Sequence, residues 1–339
     1  MPNSVIVVGA GIVGACVAYQ LSRDGAEVTL IERAPAPGMG VTANSFAWIG
    51  EGGHWPGGAA DLRPHILADH RRLSAEVPTI PLRWCGSLTW PASPEPEPTS
   101  REPEPASPEP AAREPEPLPF VGPDEISRLE PNLRAVPAGP ATHSPTDGAV
   151  DAAGMATALV EATRSLGARV LLGTTATATT ARSVTTDRDH LTADAVVLAT
   201  GAALTEPSPA LLIRAAAPPG LVRMIVSAPG FEVRESRPGE LLFAAEPDAD
   251  PAAVVVRFRA AWSGAEKVRV LNSTIGVRPM PPGGPMIGYA PDGTYLAVMH
   301  SAVCLAPTAA RLIAQEIVSG HPAPELARCR PADASADPQ

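Results

Sequence analysis

An α/β fold, with a parallel sheet in a first domain and a second, smaller and mainly antiparallel domain, is what this sequence predicts. Three observations carry it. The chain opens on a β-branched run, Ser4 to Val8, followed by a helical pattern and a second apolar run, Val28 to Ile31. That is the order of a strand, a crossover helix and a parallel strand buried on both faces. The same alternation of strand and helix returns in 151–202 and 294–318, whereas 221–271 reads as short extended runs that suit an antiparallel sheet.

The first unit of that pattern is SVIVVGAGIVGACVAYQLSRDGAEVTLIER, residues 4–33. After the strand come Gly9, Gly11 and Gly14 in G-x-G-x-x-G spacing, with Ile12 and Val13 opening a helix that stops near Asp24-Gly25. Gly9 permits the tight turn, Gly11 lets backbone approach a pyrophosphate, and Gly14 lets helix and strand pack closely. The helix N-terminus, with its free amides, favours the anion. The second strand ends in Glu32, beside Arg33, where an acid accepts from a ribose diol and repels a 2′-phosphate. Strand, glycines, helix, strand and acid in this order predict a Rossmann-type dinucleotide site. The fingerprint alone does not separate NAD from FAD.

Composition sets the limits. The 339 residues, 45% hydrophobic, suffice for two domains. A net charge of −10 argues against a nucleic-acid partner, which needs concentrated Lys and Arg. Cys16, Cys85, Cys304 and Cys329 lie far apart without a C-x-x-C pair, which fits a reducing cytoplasm and gives no metal site. The apolar start has no basic flank and carries spaced glycines, so it does not read as a signal peptide. No uncharged apolar run approaches the roughly 18 residues of a membrane span. The expectation is a soluble cytoplasmic protein.

Three later stretches favour FAD. GVTANSFAWIG, 40–50, follows the second strand; DAVVLATGA, 194–202, is a buried strand running into Thr-Gly; TYLAVMHSAVCLAP, 294–307, is a strand ending in His300-Ser301 and then a helix start, with the helix over 308–318. Together with 145–170, 222–246 and IGVRPMPPGGPMIG, 275–288, they resemble the D-amino-acid oxidase and glycine oxidase superfamily of FAD-dependent oxidoreductases over most of the chain. The resemblance implies a glutathione-reductase-like FAD domain formed from 1–78, 143–213 and 275–325, and a substrate domain from 79–142 and 214–274. It implies Gly9, Gly11, Gly14 and Glu32 on the ADP half, and Thr42, Ala43, Asn44 and Ser45 along the diphosphate and ribityl chain. Thr200 and Gly201 fall near the adenosine and diphosphate, and His300, Ser301, Ala302 and Val303 beside the flavin ring. The arginine of the G-x-R-P stretch, Arg278, takes the position that binds a substrate carboxylate.

The implied activity is oxidation of the C–N bond of a small amine or amino acid, with noncovalent FAD as hydride acceptor and O2 or another acceptor to reoxidise it. His54 and Trp55 are pocket candidates by their place after a glycine pair. Phe231 is one by its place in the resemblance, though the family often has Tyr there. Other departures are Ala302 for a glycine, Pro282-Gly283-Gly284 for an acid and a glycine, and DRDH, 187–190, for a turn with glycine. A non-catalytic FAD-binding protein and a nicotinamide dehydrogenase are the alternatives.

Residues 93–117 repeat Pro-Glu units without a large apolar side chain, and their seven Glu and two Arg supply half the net charge. Such a segment is expected to be an extended low-complexity insertion. Residues 326–339 are expected to form a tail.

Overall fold

The computed structural model describes residues 4–53, 55–90, 119–134, 136–137, 139–205 and 207–331. His54, the 93–117 insertion and residues 332–339 lie outside them. The expected tail does not begin at 326, since Leu326 and Cys329 are buried in the core and Arg330 pairs with Glu316. The chain divides into two compact units, Met1–Arg83 with Gly148–Ala210 and Ile275–Gln339, and Trp84–Asp147 with Leu211–Thr274.

The first unit is built on a six-stranded sheet. Its strands are β1 (Ser4–Val8), β2 (Glu27–Glu32), β3 (Arg169–Leu172), β4 (Ala195–Leu198), β5 (Met286–Tyr289) and β6 (Tyr295–Val298), in the spatial order β5-β6-β4-β1-β2-β3. All neighbours run parallel except β5 and β6, and Val5 of β1 sits between Val28 and Ala195. Four helices matter here: α1 (Ile12–Arg23), α2 (Ile66–Glu76), α3 (Ala152–Ser165) and α4 (Ala302–Ser319). Helix α1 packs against both α3 and α4 and is buried at nine positions, from Ile12 to Leu21. Val5 and Val7 share its core, while Ile6 and Val8 face the opposite side with Ile31 and Val184. The alternation of the strand thus serves two apolar layers.

Helix α4 runs unbroken from the helix start expected after Ser301 through the helix expected over 308–318. Pro307 lies inside it, where a proline normally ends a helix. Packing overrides that preference: thirteen of its eighteen residues are buried, far more than a surface helix offers. It is also long and apolar enough to cross a membrane by length and composition, which the search for uncharged runs missed because Arg311 and Glu316 interrupt it. Both charges are paired, Arg311 with Asp69 of α2 and Glu316 with Arg330. Asp69 also pairs with Arg72, which pairs with Glu76, itself paired with Arg23 of α1. Arg72 therefore belongs to a network tying α1, α2 and α4.

The second unit holds most of an eight-stranded sheet, ordered Arg269–Pro279, Pro207–Ala216, Glu240–Ala245, Phe231–Arg237, Ile225–Ala228, Ser87–Thr89, Ala141–Ser144 and Phe120–Val121. The first two strands contain the unit boundaries. Ile225–Ala228 runs parallel to Ser87–Thr89, and the pairs on either side of it are antiparallel. Between the short extended runs expected in 221–271 lies a helix that the sequence reading did not name, Pro251–Ala261. Asp250 caps it by accepting the Ala252 amide, Pro251 opens it, and Val254, Val255 and Phe258 bury one face. Phe231 corrects a second expectation. It is 5% exposed and packs edge-on against Phe243 and Phe258, at 5.8 and 6.2 Å, so its ring belongs to this core and not to a pocket lining.

His70 of α2 is buried, and burial pushes its imidazole down to about 4. An unfolded His titrates near 6.5, so between those values the unfolded chain binds more protons and stability falls as pH drops. We expect stability to be complete above pH ~6.5 and to decline by on the order of 3 kcal/mol toward pH ~4. Thermal melts with FAD in excess across that window check it; a melting temperature unchanged from pH ~6.5 to ~4.5 would contradict it.

Candidate cofactor-binding site

The carboxyl ends of β1, β2 and β4 open into a groove of about 760 Å³. Strand order reverses on either side of β1, the position at which parallel α/β sheets bind ligands. Gly9 turns the chain out of β1 with φ +101°, and its amide donates to Ile31 O at 2.8 Å. A Cβ on Gly14 would sit 1.8 Å from Gly9 O, so α1 is seated directly on the turn. The Ile12 amide, at the start of α1, donates to the buried Thr42 hydroxyl at 3.1 Å. Glu32 is held at both oxygens: Oε2 accepts from Ala10 N at 2.7 Å and Oε1 from Ala34 N at 2.9 Å. A carboxylate oxygen accepts more than one hydrogen bond, so capacity remains for the hydroxyls of a ribose.

The sequence-derived residues fall into three groups. Gly9, Gly11, Ile12, Val13, Glu32 and Arg33 line the groove. So do Thr42, Asn44, Thr200, Gly201 and Ala302. Gly14 shapes the groove from behind. Ser45 turns into its own loop, accepting the Ala47 amide at 3.1 Å, and Ala43 does not line the groove. His300, Ser301 and Val303 also lie outside the lining. Burial first, and then the Arg278 guanidinium, hold His300 below the usual imidazole range.

Arg278 itself is not part of the groove wall, although Val277 and Pro279 on either side of it are. Its Nη2 donates to Ser208 Oγ at 3.1 Å and to Pro209 O at 3.3 Å, and its buried Nε has no protein acceptor among the described residues. Trp55 donates through Nε1 to Glu51 O and Gly52 O and packs on the apolar core of its unit.

The departures from the family pattern have local explanations. Ala302 opens α4 without positive φ, so no glycine is needed there. Gly283 and Gly284, both at positive φ, pack backbone to backbone on Pro56-Gly57; a Cβ on Gly57 would meet Gly283 O at 1.9 Å. The DRDH turn is closed by Thr186, whose hydroxyl accepts from the Arg188 and Asp189 amides. One wall was missed by the sequence reading: Thr174, Thr175 and Ala176, beyond the end of β3. The signal was the glycine stop after VLL, since Gly173 takes φ +61° at the carboxyl edge of the sheet. Cys304 is buried, outside the groove, and its thiol donates to Trp48 O at 2.9 Å.

Residues 4–316 match the family described as DAO, FAD dependent oxidoreductase. The chain belongs to that family. A stretch of 47 residues is 57% identical to a D-amino acid dehydrogenase of Sinorhizobium medicae (strain WSM419), covering 14% of this chain and 11% of the relative. The fold resembles glycine oxidase from Geobacillus kaustophilus, with a TM-score of 0.78, 20% identity, and 97% and 98% of the two chains covered. It also resembles iminodiacetate oxidase from Chelativorans sp. BNC1, with a TM-score of 0.75, 20% identity and 98% and 100% coverage. L-proline dehydrogenase from P. horikoshii shares it at a TM-score of 0.75, with 18% identity and 96% of both chains.

The groove fits FAD. Gly9, Gly11 and the start of α1 line the groove, and the anchored carboxylate of Glu32 on its wall keeps lone pairs of the kind a ribose diol donates to. Replacing Glu32 with Ala is expected to weaken FAD binding by ~1–3 kcal/mol. Fluorescence titration of apoprotein measures it, and an unchanged affinity would remove Glu32 from the ribose.

Proposed function

We propose that this protein oxidises the C–N bond of a small amino acid or related amine, using noncovalently bound FAD. The observation that carries this reading is Arg278. A buried guanidinium nitrogen without a protein acceptor is costly, and a carboxylate ligand removes the cost. Ser208 and Pro209 engage Nη2, and Nε is left for the ligand. Arg offers a planar fork of permanent charge, which binds a carboxylate and limits its rotation. The solved structures of similar fold are named for glycine, iminodiacetate and L-proline, each a carboxylate-bearing amine.

FAD, when bound, supplies the acceptor for the hydride leaving the carbon next to nitrogen. The chain's own part is placement. Gly9 and Gly14 make room for the dinucleotide, Glu32 accepts from its ribose, and Arg278 holds the substrate by its carboxylate so that one C–H is presented. Release of a substrate proton needs no protein base if the amine binds neutral. The product imine then hydrolyses in water. O2 or another acceptor completes turnover, and four free cysteines suit a reducing compartment.

Arg278→Met keeps the apolar stem and removes the fork. The variant is expected to fold, to bind FAD, and to lose ~2–5 kcal/mol in kcat/KM for amino acids, with much smaller losses for amines lacking a carboxylate. Anaerobic flavin bleaching with D-amino acids, glycine, sarcosine and proline measures both classes; parental rates with amino acids would defeat the assignment. Acid precipitation is expected to leave the flavin in the supernatant, because the Cys304 thiol is buried and outside the groove. Colour retained in the pellet would show a covalent link.

A further inference from the structure

Pro307 is the sixth residue of α4. A proline in a helix interior has no amide for the carbonyl four residues earlier, here Val303. The ladder is present two residues earlier, with the Leu305 amide donating to Ser301 O at 3.1 Å. Val303 O therefore lacks its helical donor in the turn that begins with Ala302, the α4 residue on the groove wall. A buried carbonyl left bare costs free energy and loosens the turn that carries it.

The missing donor comes from another helix. His70 of α2 places Nε2 3.1 Å from Val303 O and 3.1 Å from Cys304 O. Two carbonyls face one ring nitrogen, so that nitrogen carries a proton, and burial keeps the imidazole neutral. His70 is 2% exposed, so no water competes for the bond. We infer that His70 is a positioning residue for the cofactor: it replaces the amide that Pro307 lacks and so sets the first turn of α4 against the groove. The inference rests on the reading that this turn borders the flavin ring. The Cys304 thiol on Trp48 O is a second tie on the same turn. Cofactor contacts tolerate little displacement, and a backbone turn held by side chains of other elements is placed more tightly than one held by its own ladder alone.

The test is a rescue experiment read by FAD affinity and by the visible absorption and circular dichroism of the bound flavin. His70→Met keeps the bulk and removes the donor; it is expected to weaken FAD about tenfold and to change the flavin dichroism. Adding Pro307→Ala restores a helix amide to Val303 O and is expected to return most of the affinity and the parental spectrum. His70→Gln, which can donate from its amide, should lie close to the parent. Equal losses for His70→Met with and without Pro307→Ala would overturn the inference, as would failure of the combined variant to fold. Ala302→Leu separates the two readings. If its flavin spectrum and FAD affinity match the parent, the turn does not border the flavin; if they change but Pro307→Ala rescues nothing, the turn is correctly placed and the role of His70 is wrong.

Discussion

The close approach of α1 to the end of β1 is the constraint on which the first unit depends. Gly14 meets the carbonyl of Gly9 at a distance that excludes any Cβ, and Gly9 can turn there only because it accepts φ +101°. This contact lets α1 lie flat on the sheet, where it packs against α3 and α4. The start of the helix, Ile12 and Val13, lines the groove beside Gly9. One backbone geometry thus serves the core and the cofactor together.

Polar groups around that core are placed by being satisfied. Glu32 is anchored by two amides from different segments, which fixes its carboxylate before any ribose arrives. Asp69, Arg72, Glu76, Arg23 and Arg311 link three helices through charges that would be costly alone. Burial raises the Asp69 carboxyl, but the hydrogen bond and charge of Arg311 more than offset this and hold it below the ordinary range. His70 lies next to this network in sequence and stays neutral, so its bonds to α4 are those of a dipole and not of an ion.

Arg278 differs from these groups because its account within the protein is incomplete. Ser208 and Pro209 hold one nitrogen, and the buried Nε has no protein acceptor. A group that folding leaves unfinished in this way is suited to a ligand that finishes it. Phe231 shows the opposite outcome. The resemblance implies a pocket aromatic there, yet the rings of Phe243 and Phe258 pack edge-on against it within the core.

The local pattern of residues 4–33 determined the parallel sheet, the turn of Gly9, the seat of α1 and the acid at the end of β2. Each follows from interactions among residues near in sequence, and from conformations that glycine alone adopts readily. The helical state of Pro307, the Phe231 core position, the wall at Thr174 to Ala176, and the partners of Arg278 and His70 were decided by tertiary structure. Pro307 stays helical because thirteen buried positions outweigh its local preference. Ser208 lies seventy residues from Arg278, and His70 lies 233 residues from Val303. Sequence spacing carries no trace of such pairs, because hydrogen bonds depend on distance and direction in space, which only the packed chain supplies.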